Sequence, residues 1–244
     1  MRDKPEILFD NDSIVALYKP SGLLSVPDRY RVDKISAALW ILSTFPDARP
    51  LHRLDFETSG ILLFCKKPDA FGWYSDQFEN RSVSKTYLAI TEGRIIQENG
   101  LIDQPLFTQT TGKVIISKRG KESQTQWKVL ERFLRHTYIE ANPLTGRTHQ
   151  IRVHFASLGH PLLCDSVYGT SGEFFLSSLK GKHRYRLGKD EEVEKPLFSR
   201  TALHASAIEI NEYKSDKRIR IESPLPRDMH VVLQKLKQYA GLKH

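Results

Sequence analysis

The chain has 244 residues, 39% of them hydrophobic, and a formal charge of +8 from 37 basic and 29 acidic side chains. That length suffices for one large domain or two small ones with a sizeable core, and the basic surplus favours a polyanionic partner, above all nucleic acid. Only two cysteines, Cys65 and Cys164, are present, which excludes a disulfide framework, and no apolar run reaches the roughly 18 residues of a membrane-spanning helix.

In chain order, ILFDNDSIVALYKPSG (7–22) predicts two strands around an Asp-Asn-Asp turn, closed by Pro-Ser-Gly. DKISAALWILSTF (33–45) has helical apolar spacing, with Asp33 as the expected N-cap. GILLFCK (60–66) is an apolar run of strand length, and PDAFGWYSDQFEN (68–80) opens as a helix does. SKTYLAITEG (84–93) alternates like a strand, and SQTQWKVLERF (123–133) with HTYIEANPLTG (136–146) forms an expected hairpin. RTHQIRVHFASLGH (147–160) predicts a helix from His149 to Leu158, closed by Gly159. ALHASAIEI (202–210) and KRIRIESPLP (217–226) read as strands, and RDMHVVLQKLKQYAG (227–241) as a terminal helix. Strands and helices mix without a regular βαβ beat, so the expected class is α+β with a mixed, largely antiparallel sheet and flanking helices. The polar segment 171–196 reads as a flexible insertion, and the two cysteines as buried free thiols in a cytoplasmic protein without a targeting segment.

Several chemistries are absent from the pattern. His149, His154, His160 and Cys164 lack the paired spacing of a zinc site, so no metal is expected. There is no Walker loop, no Gly-x-Gly-x2-Gly and no Gly-x-Ser-x-Gly. What remains is HRLDFETSG (52–60), with Arg53 and Asp55 just before a buried strand; Arg147 and Arg152 flanking Thr148–Ile151; and Tyr87 in SKTY. A carboxylate beside a buried strand needs a cation, which a forked Arg supplies. Ionised Asp can attack an acetal carbon, and Tyr can stack on a planar ring. Together they make a site for a flat heterocycle joined to a sugar. Each has a plainer reading: Asp55 as a turn cap, Arg152 as surface charge, Tyr87 as core. Patterning alone stops at a basic α+β protein acting on nucleic acid.

HRLDFETSG resembles the His-Arg-Leu-Asp-x2-Thr-Ser-Gly signature of RluA-type pseudouridine synthases. YKPSGLLSVP (18–27), SKTYLAI (84–90), the block 143–169, ALHA (202–205) and SPLPRDM (223–229) resemble that family's other motifs, in order. The resemblance implies a pseudouridine synthase fold with a central RNA-binding cleft, and isomerisation of selected uridines in rRNA or tRNA without cofactor or metal. It implies Asp55 as nucleophile, Tyr87 stacked on the uracil and Arg152 paired with Asp55. Arg53 would enter the RNA stack as the target base flips out. Lys19, Arg147 and His149 are expected on the RNA-binding side. The chain is expected to be a single catalytic domain over 1–244, monomeric, with no separate N-terminal RNA-binding domain. RNA affinity then falls to the basic runs 113–121, 180–189 and 214–220. The alternatives are a non-catalytic RNA-binding protein of the same fold and a hydrolytic glycosidase, the latter lacking a well-placed second carboxylate.

Overall fold

The structure, a computed structural model, describes residues 4–28, 35–181, 185 and 193–242. Its elements are β1 (Glu6–Asp10), β2 (Ile14–Lys19), α1 (Ala37–Leu42), β3 (Arg49–Pro50), β4 (Ser59–Cys65), α2 (Pro68–Glu79), β5 (Ser84–Glu92), β6 (Asn99–Asp103) and β7 (Leu106–Thr108). They continue with β8 (Val114–Ile116), β9 (Gln124–Arg132), β10 (His136–Pro143), α3 (Gln150–Ser157), α4 (Leu176–Lys180), β11 (Leu203–Asn211), β12 (Arg218–Glu222) and α5 (Arg227–Ala240). The pairs β1–β2, β2–β4, β3–β4, β11–β12, β6–β9, β9–β10 and β7–β8 are antiparallel, and β4–β11 is parallel. The α+β class follows, as expected.

The chain forms two compact units, residues 1–87 with 204–224, and residues 88–203 with 225–244. The first is built on β2 and β4, every residue of which is buried. Successive strand side chains point to opposite faces. Ile14, Ala16, Ile61 and Leu63 accordingly join one cluster with Ala70 and Tyr74 of α2, while Val15, Leu17, Leu62 and Phe64 join another with Ala37, Ala38 and Ile41 of α1. Covered on both faces, these strands read as continuous apolar runs instead of alternating ones. Helix α1 is capped by Ser36, whose Oγ accepts from Leu39 N–H at 3.2 Å. The cap expected at Asp33 lies outside the described residues.

Gly60 is required where β4 meets β11. Its φ is +118°, and a Cβ there would stand 2.2 Å from the Ala205 carbonyl oxygen. Beside it, Ser59 Oγ bonds His204 Nδ1 at 3.0 Å, and His204 Nε2 lies 3.2 Å from the Ser223 carbonyl. The ALHA segment thereby ties β4 to the strand end at Ser223 from within the core.

The second unit packs α5 through Met229, Val232, Leu233, Leu236 and Ala240, a helical stripe, against Ile90, Phe133, Leu163, Phe174 and Phe198. Of the expected insertion 171–196, residues 182–184 and 186–192 lie outside the described residues. Its start is part of the core: Phe174 is buried and its N–H bonds the Phe198 carbonyl at 2.8 Å. Among the described residues no helix is long and apolar enough to cross a membrane. Both cysteines are free and buried.

Candidate active site

Leu54 is buried, while its neighbours Arg53 and Asp55 are exposed and partly exposed. One inward anchor thus presents two outward polar side chains. The backbone around it is tied to residues 19–25. Ser25 Oγ accepts from Leu54 N–H at 2.9 Å and donates to Leu54 O at 2.7 Å. Gly22 N–H donates to Phe56 O at 2.9 Å, and Thr58 N–H closes a turn onto Asp55 O at 3.1 Å. KPSGLLS is therefore the brace of the Asp55 loop.

Lys19 belongs to that brace, which corrects its expected place on the RNA-binding side. Its side chain is 0% exposed, and its ammonium donates to the carbonyls of Pro20 (3.1 Å), Leu23 (2.8 Å) and Phe56 (3.2 Å). A desolvated ammonium needs such acceptors, and engaged this way it offers no charge to a phosphate at the surface.

His52 braces the other side. Its Nε2 accepts from Leu63 N–H at 3.1 Å and its ring stacks on Phe78 at 5.2 Å. Burial, helped by the Lys85 charge and opposed by a bond with the Arg53 backbone, lowers its pKa to about 3. The imidazole is neutral, as an Nε2 acceptor requires. Burial also lowers the Lys85 ammonium to about 8. Sequence reasoning missed Lys85 as a charge beside this loop; its position two residues before Tyr87, hence on the same strand face, was the available signal.

Tyr87 is partly exposed and packs on the cluster containing Leu54, Leu62 and Ala205. Burial first, then the Asp55 carboxylate, pushes its hydroxyl pKa well above the usual phenol value. Asp55 and Tyr87 thus lie near enough for the carboxylate charge to bear on the phenol, which stays neutral. Such a pair suits an aromatic substrate ring that stacks on Tyr87 while its attached sugar meets the acid.

The second unit carries Arg147, His149 and Arg152. Arg152 is buried, and its Nε and Nη2 donate to Asp165 Oδ2 and Oδ1 at 2.7 and 2.8 Å. Asp165, fully buried, also accepts from the N–H groups of Val167 and Tyr168 at 3.0 Å each. Burial raises its carboxyl pKa, but the Arg152 bond and charge with the two amides outweigh it, and the net pKa is lowered. Sequence reasoning missed this carboxylate, which stands 13 residues from its partner in a turn.

Arg147 is half-buried, with Nε donating to Glu122 O at 3.1 Å. His149 precedes α3 with φ +54°, and its Nδ1 lies 2.9 Å from the Tyr168 hydroxyl. Gln150 locks the turn between them, accepting from Thr145 Oγ1 and Arg147 N–H at 2.6 and 3.0 Å and donating to Gln124 O at 2.8 Å. Among the described residues, no three His, Cys, Asp or Glu side chains group as metal ligands would.

The profile of the RNA pseudouridylate synthase family matches residues 13–157, more than half of the chain. Ribosomal large subunit pseudouridine synthase D of Neisseria meningitidis serogroup B is 33% identical over 246 residues, covering 97% of this chain and 62% of that protein. Dual-specificity RNA pseudouridine synthase RluA of Vibrio vulnificus is 35% identical over 190 residues, covering 75% of this chain and 76% of its own. The chain therefore spans about three fifths to three quarters of the length of these curated relatives. Human RNA Pseudouridylate Synthase Domain Containing 4 shares the fold, with a TM-score of 0.71 at 24% identity over 95% of this chain and 92% of that one. With the signature loop, its brace and the family profile in agreement, this chain belongs to the RNA pseudouridylate synthase family.

Proposed function

We propose that this chain isomerises selected uridines of structured RNA to pseudouridine, with Asp55 as the covalent catalyst. Asp55 attacks ribose C1′ and the N1–C1′ bond breaks. The released uracil turns, its C5 attacks C1′, and the carboxylate leaves. The C5 proton is lost and N1 gains one, so the atoms balance without water or redox partner. The observation that carries this reading is the backbone-braced loop that holds Asp55, with the neutral Tyr87 phenol within reach of its charge.

Tyr87 stacks on the uracil, and its hydroxyl assists the proton transfer from C5. Arg152 supplies positive charge for the reaction, its guanidinium plane set by Asp165. Arg53, exposed next to Asp55, fills the place the target base vacates; flipping costs a few kcal/mol, and the inserted side chain offsets part of it. Arg147 and His149 contact phosphate. The relatives' names support ribosomal large-subunit RNA as substrate, and that of the Vibrio relative supports a second RNA, which we take to be tRNA. The proposal is completed by a monomer working in the cytoplasm without metal or cofactor.

The test is to incubate the protein with unmodified large-subunit ribosomal RNA and tRNA transcripts and map carbodiimide-dependent primer-extension stops. New stops at discrete uridines are expected. RNA that is shifted in gels yet acquires no stop would overturn the reading in favour of a non-catalytic RNA-binding protein.

A further inference from the structure

The β7–β8 ribbon and its flanks, residues 106–121, carry Lys113, Lys118, Arg119 and Lys121, all exposed, and no acidic side chain. A two-stranded ribbon of this size is not stable alone. It is held through its buried side: Leu106 and Val114 pack with Val153 of α3 and with Tyr168. Val114 N–H also donates to the Tyr168 hydroxyl at 3.0 Å.

Tyr168 makes three further contacts, each within the same unit. Its hydroxyl lies 2.9 Å from His149 Nδ1. Its ring face lies under the Arg152 guanidinium, with Cζ 5.2 Å from the ring centroid. Its own N–H bonds Asp165 Oδ1, the carboxylate that forks Arg152. A guanidinium forked from one edge keeps its plane but still rocks about the fork; an aromatic face against it removes that freedom and adds cation–π attraction. The hydroxyl reaches the other way, to the backbone of the basic ribbon.

We propose that Tyr168 is a positioning residue with two separable tasks: its ring face holds Arg152 in orientation for the isomerisation, and its hydroxyl seats the basic ribbon against the RNA backbone. This rests on the reading of the chain as a pseudouridine synthase that uses Arg152. Four exposed cations on a ribbon suit a phosphate backbone, whose contacts set affinity rather than the chemical step.

The separation gives the test. Tyr168→Phe keeps the ring and removes the hydroxyl; Tyr168→Leu removes the ring as well. Both are assayed by tritium release from a large-subunit ribosomal RNA transcript labelled at uridine C5, alongside wild type. Tyr168→Phe is expected to raise KM about threefold to tenfold and leave kcat within about twofold. Tyr168→Leu is expected to lower kcat about tenfold or more in addition. In Tyr168→Phe the Val114 amide should exchange with deuterium faster than in wild type, a readout that does not need activity and stands even if Tyr168→Leu fails to fold. Equal kcat and KM changes in the two variants, or an unchanged Val114 exchange rate in Tyr168→Phe, overturns the inference while wild type stays active. An inactive wild type fails the functional reading and the inference with it.

Discussion

Asp55 stands on a segment whose backbone is tied down by residues 19–25, whereas Arg152 stands on a regular helix and is tied down by its side chain. The difference fits the task that the proposed function gives each group. On the proposed reading Asp55 has to reach a sugar carbon, and a fixed chain beneath it suits that task. A guanidinium that supplies charge can be locked outright, and a buried one must be paired, because desolvated charge is costly without a partner. The brace in one unit is made of carbonyls, a serine and a buried lysine; in the other it is a carboxylate and an aromatic face.

The largest effect expected from this contrast is in the second unit. Asp165→Asn removes the carboxylate that forks the buried Arg152 and accepts two backbone amides, and a loss of about 3–5 kcal/mol in urea unfolding is expected. A smaller loss would mean that Arg152 finds compensation elsewhere and that the lock is weaker than its geometry. In the first unit, Lys19→Met keeps the length and removes the ammonium from three carbonyls. Stability should fall by about 1–3 kcal/mol, while the salt dependence of RNA binding should keep its slope. A shallower salt slope in this variant would return Lys19 to the RNA contacts.

The remaining effect is one of pH and involves both units. His52 is held at about 3 and His136 at about 4, both chiefly by burial, against an unfolded value near 6.5. Between those values the unfolded chain binds more protons, so stability falls as pH drops from about 6.5 toward 4, by at most about 1.4 kcal/mol per pH unit for each histidine. Asp165, whose folded pKa is depressed, contributes stability that is present above the ordinary carboxylate range and is lost only as pH falls below it. Urea titrations at stepped pH should therefore show a decline beginning near 6.5; a flat profile down to pH 4.5 would contradict the buried neutral histidines.

The fold was legible where periodicity was strong. The buried runs of β2 and β4, the β9–β10 hairpin, and helices α2, α3 and α5 all stand where the pattern places them. The two-residue β3 and the three-residue β7 and β8 escaped because so few residues carry no period, and the Ser36 cap was hidden behind an equally suitable Asp33. At the site, the motif residues were visible but not the direction of their side chains. Lys19 is a cation in the sequence and a backbone clamp in the fold. Asp165 and Tyr168 sit in the turn CDSVYG, where no spacing rule links an acid to an arginine 13 residues earlier; only the packing of that turn on α3 makes the fork.

The central claim is that Asp55 performs the chemistry while its loop supplies only the geometry. The direct test is tritium release from C5-labelled uridine RNA by wild type and Asp55→Asn, at matched folded concentration. The account predicts release by wild type, none detectable by Asp55→Asn, and unfolding free energies equal within about 0.5 kcal/mol. Release by Asp55→Asn at the wild-type rate would contradict it.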